Sequence, residues 1–436
     1  MTEAEPAGMN PCSGMRVLFV TQWFPPEPAT QALRIARALV DDGLATEVLT
    51  GIPNYPSGTV AEGYRAYSTL TEEVHGLTVH RTPLYPSHDA SALRRIMNYV
   101  SWAVSSTCLG LRRMRWADAV LVYSSPATAA LPAMMGRWLF GTPYVLLIQD
   151  VWPDSVFSSG FLPGRVSRLL WRLIEPFVNS AYRGASKIAV ISPGMVDLLI
   201  ARGVPRERLE LVYNSVDTSA FHGADTPVTR DSLGIDESDL VLMYAGNHGA
   251  AQGLDALLRG VGAAAPERAC HLVMVGRGVA KKNLMRLASE AADVRVHFVD
   301  AQPRESMAAL MDLADVHVVS LAADGLFEVT MPSKFQTLLA LARPVLALAS
   351  GDVSTAVRDA GCGFVVRPGD TKAAAEAIEK LALLDSAQLA EMGARGRRYY
   401  DQNMGDPNGG GVLADLLRRA SNGGRRSKTR DRRAAQ

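Results

Sequence analysis

The stretch EVTMPSKFQTLLALARPVLA, residues 328–347, runs as a loop, a short helix and a buried strand in immediate succession. Pro332 stands where the first turn of a helix tolerates a missing N–H, and Arg343-Pro344 ends that helix before the apolar run Val345 to Ala349. The helix therefore opens from a loop, with free N–H groups and the positive end of its dipole at the start. Ser333 and Lys334 add a hydroxyl and an ammonium at the same end. Such an end suits a diphosphate. Taken alone the stretch reads rather as a capped surface helix with a solvated lysine, and it is the flanking chain that shifts the balance.

Outward from this stretch, apolar runs alternate with helical segments. DLVLMYAG (239–246), CHLVMVG (270–276), VRVHFVD (294–300), VHVVSL (316–321), PVLALAS (344–350) and GFVVRPG (363–369) form one series. An earlier series comprises RVLFVTQ (16–22), TEVLTG (46–51), LTVHRTPL (77–84), AVLVYSS (119–125), YVLLIQD (144–150), KIAVIS (187–192) and LELVYN (209–214), with a helix from about Ala32 to Asp42 closing the first βαβ unit. Continuous apolar runs of this length mark parallel strands covered on both faces. Two such series predict an α/β protein of two doubly wound, Rossmann-like domains, which suits a chain of 436 residues. The expected division is a disordered 1–14, a first domain 15–213, a linker 214–238, a second domain 239–385, helices 386–417 returning to the first domain, and a disordered basic tail 418–436.

The chain is 48% hydrophobic and 20% charged, an ordinary globular composition. Its net charge of +1 conceals an asymmetry: residues 418–436 hold eight Arg or Lys against one Asp, so the remainder is net acidic. A body without a basic field argues against nucleic acid as a partner. Cys12, Cys108, Cys270 and Cys362 form no C-x-x-C pair, which disfavours a zinc ribbon or a redox dithiol and fits a reducing cytosol. Residues 1–14 carry Glu3 and Glu5 with neither a basic n-region nor an apolar h-region, so neither a signal peptide nor a span is expected there.

Ligands bind outside the carboxyl ends of parallel strands, so the cleft between the two domains is the expected site. In the second half YAGNHGAAQGL (244–254) brings Gly246 and Gly249. VGRGVAKKNL (275–284) brings Gly276 and Gly278, with Lys281 and Lys282 in the next helical turn, and LAADGLFEVTMPSK (321–334) follows a third strand. Glycines, lysines and a helix N-terminus at one edge predict a phosphate-bearing ligand. No G-x-x-x-x-G-K-[ST] is present, and VGRGVA lacks the third glycine in register, so a P-loop enzyme and a dinucleotide dehydrogenase are disfavoured.

TQWFPPEPATQALRIARAL, VLTGIPNYPSG, RRIMNYVSWA, QDVWPDS, VYNSVD and the three strand-end stretches above run in family order from about residue 16 to 400. As a set they resemble the retaining family 4 of the GT-B glycosyltransferases, most closely the WbuB-like branch that builds bacterial surface polysaccharides. The resemblance implies that Lys281 binds the donor diphosphate and that the 324–334 loop, with Ser333 and Lys334, holds phosphates and sugar. It implies that the first loop, Phe24 to Gln31, meets the donor from the other domain, and that Asp150 faces the acceptor. With the strand-end residues, the expected donor-binding set is Ala29, Thr30, Gly246, Asn247, His248, Gly249, Gln252, Gly276, Gly278, Lys281, Pro332, Ser333, Lys334, Gln336 and Thr337. Asp150, Lys281 and Glu328 are the expected catalytic residues. The sequence departs from the family at the E-x7-E pair, where Val329 and Thr337 stand, with Glu328 adjacent. It departs also at Asn247, in place of a basic residue, and at Ala29-Thr30, in place of a glycine pair. Gln336 and Thr337, one turn into the helix, are placed for a ribose hydroxyl.

Breaking a sugar–diphosphate bond requires fixed positive charge at the leaving group. Lys281, Lys334 and the helix N-termini can supply it, and no D-x-D or histidine pair with ligand spacing appears, so neither metal nor cofactor is expected. Asp150 has two compatible readings, acceptor contact and helix N-cap before Pro153. His248 is either a phosphate or hydroxyl partner or a plain loop residue. Glu27 either meets a sugar hydroxyl or is solvated, with solvation the expected state, and His75, His80 and His88 are expected to be structural or superficial. Trp23 and Trp152 lie beside cleft loops. The expected donor is a UDP-sugar, carrying an N-acetylated or deoxy amino sugar, and the expected acceptor a lipid-linked saccharide. A UDP-N-acetylglucosamine 2-epimerase and a non-catalytic sugar-nucleotide binder remain the rival functions. In RRIMNYVSWAVSSTCLGLRRMR (94–115), Ile96, Tyr99, Val100, Ala103 and Val104 recur at helical spacing with Trp102 as an interfacial aromatic. With the basic tail this predicts a cytoplasmic protein peripheral to the inner leaflet.

Overall fold

The computed structural model describes residues 14–87, 92–154, 164–216, 218, 226–289, 295–303, 306–405 and 411–434. Two open sheets organise it. The first holds eight strands in the order β3-β4-β2-β1-β5-β6-β7-β8, from β1 (Arg16–Val20), β2 (Ala45–Gly51), β3 (Leu70–Val74), β4 (Leu77–Thr82), β5 (Ala119–Ser124), β6 (Tyr144–Ile148), β7 (Lys187–Val190) and β8 (Leu209–Leu211). Every pair in it is parallel except β3 with β4. Val17 to Val20 and Val120 to Val122 are completely buried, as strands sandwiched between helix layers must be. β3 is absent from the expected series because LTEEV is a half-exposed edge strand without an apolar run. The His75-Gly76 turn, both residues at positive φ, is the signal that marks its hairpin.

The second sheet is wholly parallel in the order β11-β10-β9-β12-β13-β14. Its strands are β9 (Leu240–Ala245), β10 (Cys270–Val275), β11 (Arg295–Val299), β12 (Val316–Ser320), β13 (Val345–Leu348) and β14 (Gly363–Val366). The chain runs outward in both directions from between β9 and β12, so the loops after these two strands face each other at the switch point. They are joined directly: Ala322 N–H donates to the Ala251 carbonyl at 2.9 Å and Ser320 Oγ to the Gln252 carbonyl at 2.6 Å.

The ends of the expected division shift. Ile235 is buried, and Val228 and Leu233 pack with it beneath β9 and β10, while Arg230 reaches Asp315 at 3.0 Å. The segment from about 228 thus packs with the second domain. Helix Ser386–Asn403 also stays there, through Leu389, Tyr400 and Met404. Only helix Gly411–Ala434 returns to the first sheet, where Leu413, Ala414, Leu416, Leu417 and Ala420 join the core. The apolar stripe continues past residue 418, so the expected disordered tail begins instead as ordered helix, and Arg418 donates to the Asp42 carbonyl at 2.8 Å.

The domains are fastened by polar contacts. Ser192 Oγ donates to the Val329 carbonyl at 2.6 Å, and Gly194 N–H donates to the Asp352 carboxylate at 2.8 and 3.1 Å. Asp352 of the second domain thereby caps the first-domain helix Pro193–Ala201. Among the described residues no helix is long and apolar enough to cross a membrane.

Candidate active site

The loops after β9 and β10 interlock. Gly246 N–H donates to the Val275 carbonyl, His248 N–H to the Arg277 carbonyl and Ala280 N–H to the His248 carbonyl, all at 2.8–2.9 Å. A Cβ on Gly276, at φ +139°, would lie 2.0 Å from the Gly246 carbonyl oxygen. This glycine is thus required by loop-on-loop packing rather than by a ligand. Gln252 Oε1 accepts from Gly249 N–H, and Asn247 is exposed.

Three groups with cationic or titratable side chains converge beside this interlock. Lys334 Nζ lies 4.2 Å from the Tyr244 ring centroid, in cation–π contact, and no hydrogen bond or ion pair engages it among the described residues. Burial lowers its pKa to about 8. Tyr244 is itself held, its hydroxyl donating to the Asn247 carbonyl at 2.9 Å. His248 is sealed from solvent, and neither ring nitrogen has a hydrogen bond of ordinary geometry. Burial, then Lys281 and Lys334, lower its pKa against an opposing contribution from the Val275 carbonyl, so the ring is neutral. Lys281 Nζ is paired with the exposed Asp300 at 2.6 Å and also donates to the Gly276 carbonyl at 3.2 Å. Tyr244 and Asp300 were not singled out in the sequence; each looks like an ordinary strand-end residue, and only the fold brings them to the lysines.

Helix Ser333–Ala340 begins at this cluster, with Pro332 at its N-cap. Ser333, Lys334, Thr337 and Leu338 form one wall of a hollow of about 270 Å³, with Met243, Met307 and Met311 across from them. Thr337 Oγ1 donates to the Ser333 carbonyl. Gln336, expected beside the ribose, instead faces away from this wall, completely buried with both amide atoms unpartnered. The reason is helical geometry: Ser333, Thr337 and Lys334 share the open face, and residue 336 falls on the packed one. Glu328 ends the short helix Gly325–Glu328 and is exposed.

The first domain contributes a pocket of about 390 Å³ bounded by Trp23, Pro28 to Ala32, Tyr55, Ser125 and Asp150. Asp150 therefore shares a pocket with Ala29 and Thr30. Water reaches its carboxylate, but protein atoms on most sides desolvate it and raise its pKa, against a 2.6 Å hydrogen bond from Ser125 Oγ. Glu27, expected to be solvated, is buried. Its carboxylate accepts the N–H groups of Phe24, Asn54 and Tyr55 at 2.8–3.0 Å, and burial pushes its pKa up to about 7. It shapes the first loop rather than meeting a ligand. Trp102 is likewise buried, not interfacial. His80 bridges Glu47 and Thr71, a structural place as expected, and His88 lies outside the described residues. Among the described residues, no three His, Cys, Asp or Glu side chains stand together as a metal site.

Two Rossmann-like domains fastened across a cleft, one presenting lysines and a helix N-terminus and the other a desolvated carboxylate, have the architecture of the GT-B glycosyltransferases. The chain matches a model of glycosyl transferase 4-like domains over residues 27–215 and one of glycosyl transferases group 1 over 239–383. It is 27% identical over 307 residues to the putative colanic acid biosynthesis glycosyl transferase WcaI of Escherichia coli K12, covering 70% of this chain and 75% of that one. It is 25% identical over 299 residues to the probable glycosyltransferase WbjE of Pseudomonas aeruginosa, covering 67% and 72%. Anabaena HepE, solved in complex with UDP and glucose, superposes with a TM-score of 0.66 over 92% of this chain and 99% of its own, at 17% identity, a likeness of fold. The chain belongs to family 4 of the GT-B glycosyltransferases.

Proposed function

We propose that the protein moves a sugar from a UDP-sugar to a lipid-linked saccharide acceptor in surface-polysaccharide synthesis, with retention at the anomeric carbon and without a metal ion. The observation that carries the reading is the Lys334 ammonium. It is desolvated, stands in cation–π contact with Tyr244, and belongs to the first turn of helix Ser333–Ala340. Charge held ready in a low-dielectric recess favours an incoming diphosphate and, more strongly, the dianion that leaves. The name of WcaI supports the pathway, that of WbjE the transferase class, and the UDP bound to HepE the nucleotide.

In this scheme the acceptor hydroxyl oxygen bonds to the anomeric carbon while the bond from that carbon to the β-phosphate oxygen breaks. The electron pair leaves with UDP, neutralised by Lys281, Lys334 and the N–H groups at Ser333. The acceptor proton passes to the departing phosphate on the same face, so no protein nucleophile is needed. Asp150, steadied by Ser125, orients the acceptor hydroxyl, and Glu328 meets the sugar from the 324–334 loop. Gly246, Asn247, Gly249, Gln252 and Gly278 line the phosphate approach, with Ala29 and Thr30 opposite and Thr337 at the ribose.

The test pairs thermal shift on UDP-, GDP- and TDP-sugars with transfer of labelled sugar to a bacterial lipid extract. A saturating true donor at a hundred times Kd adds about 2.7 kcal/mol. UDP-sugars should give the largest shift, and Asp150→Asn should retain it while losing transfer. A larger shift with GDP overturns the nucleotide, and release of an epimer without acceptor replaces transfer by isomerisation.

A further inference from the structure

An apolar groove of about 280 Å³ lies between helices Ala92–Trp116, Ala130–Phe140 and Gly164–Gly184 of the first domain. Ile96, Val100, Leu131, Trp152, Ile174 and Phe177 line it, and among the described residues no charged side chain does. Two observations connect it to the Asp150 pocket. Tyr99 also lines the groove, and its ring packs edge-on against Trp152 at 6.0 Å and against Trp23 of the Asp150 pocket at 6.2 Å, while Trp23 in turn meets Tyr55 at 5.2 Å. Arg95 stands one turn before Tyr99 on helix Ala92–Trp116, on the same helix face; burial chiefly raises the pKa of the Tyr99 hydroxyl, with Arg95 lowering it and Asp150 raising it. Beside the groove, Leu93, Met97, Val100 and Val104 follow one another at helical spacing and are 67%, 45%, 48% and 50% exposed.

We infer that this groove binds the hydrocarbon chain of the acceptor, a single-chain lipid phosphate, with its phosphate at Arg95 and Tyr99 and its sugar at Asp150. The inference deepens the proposed transfer reaction and rests on it for the sugar, but the chain site stands on the groove itself. A largely apolar slot whose Tyr99 packs on Trp23 of the sugar-transfer pocket has no use for a free saccharide. An alkyl or isoprenyl chain, by contrast, gains from every methylene removed from water. The exposed stripe next to it leaves the chain a path from a bilayer without crossing water.

The experiment measures binding of n-alkyl phosphates, butyl to decyl, below their micellar concentrations, to the full chain in saturating UDP. Kd should fall by up to about fourfold per added methylene until the groove is full. Val100→Trp, which fills the groove from a half-exposed position, should flatten that dependence. Arg95→Gln should weaken all chain lengths alike. The far-UV circular dichroism spectrum and melting midpoint of each variant report whether it folds. Chain-length-independent binding by the unaltered protein overturns the inference, and so does full dependence in a folded Val100→Trp. If UDP fails to bind while the chain-length series holds, the donor assignment falls and the groove survives.

Discussion

Replacing Lys334 by alanine removes a cation that stands against the face of Tyr244 at the start of helix Ser333–Ala340. A unit charge about 4 Å from a diphosphate oxygen, at an effective dielectric near 20, is worth about 4 kcal/mol before desolvation is counted. Fixed electrostatic groups of this kind contribute about 3 kcal/mol to the transition state, so kcat/KM should fall some 10²-fold. The pH dependence isolates the charge. Burial sets the Lys334 pKa at about 8, below the ordinary lysine value, so the ammonium is present at pH 7 and lost as pH rises through that value. If only the protonated form binds UDP, Kd should rise roughly tenfold from pH 7 to pH 9. Calorimetric titration of UDP across that range, with uridine as the phosphate-free baseline, gives the profile. Lys334→Arg should bind with a flat profile, because guanidinium does not titrate there. A flat profile in the unaltered protein, or unchanged UDP affinity in Lys334→Ala, would refute the reasoning.

Lys281→Ala should lower kcat/KM to a similar degree and Lys282→Ala hardly at all, since the two lie about 100° apart on one helical turn; equal effects in a kinetic comparison remove Lys281 from the diphosphate. Glu27→Ala strands two buried N–H donors and one partly buried one, and should cost about 3 kcal/mol in denaturant unfolding. Because the folded Glu27 pKa is raised to about 7, its contribution to stability is present in full below the unfolded value and declines as pH rises through about 7. A melting curve of the alanine variant without a lower midpoint, or with the same pH dependence between 5 and 8, counts against this. Asp352→Ala removes the cap that holds the domains together, and small-angle scattering should register a more open unliganded form; an unchanged radius of gyration would show that the contact is not a fastening. On anionic vesicles at low salt, the pair Leu93→Glu and Met97→Glu should abolish flotation. Flotation kept by that double variant denies the stripe a membrane role.

The two sheets were legible because parallel strands buried on both faces are written as unbroken apolar runs, as in RVLFV and CHLVMV. The strand-end glycines were equally visible, yet their reason was not: whether Gly276 spares room for a ligand or for the Gly246 carbonyl depends on a loop 30 residues away. Glu27 illustrates the same limit, since two of its three donors, Asn54 and Tyr55, come from a loop 27 and 28 residues on. An acidic residue in a proline-rich loop has nothing local to reveal that. Trp102 and Gln336 were assigned from helical spacing, which gives the face but not what covers it. Lys334 could be placed at a helix start from MPSK, but its pairing with the Tyr244 ring could not, because Tyr244 stands 90 residues earlier in the chain.

The Asp352 cap on Gly194 and the Ser192 bond to Val329 bear on how the two domains part. Separating them releases an amide, a carboxylate, a hydroxyl and a carbonyl, all of which water solvates, with Leu326 and Val329 the apolar side chains of the 324–334 loop that meet the first domain. A hinge built this way should open with little change in heat capacity, since that change follows apolar exposure. The cleft can then cycle at each turnover without baring a sticky surface to its neighbours.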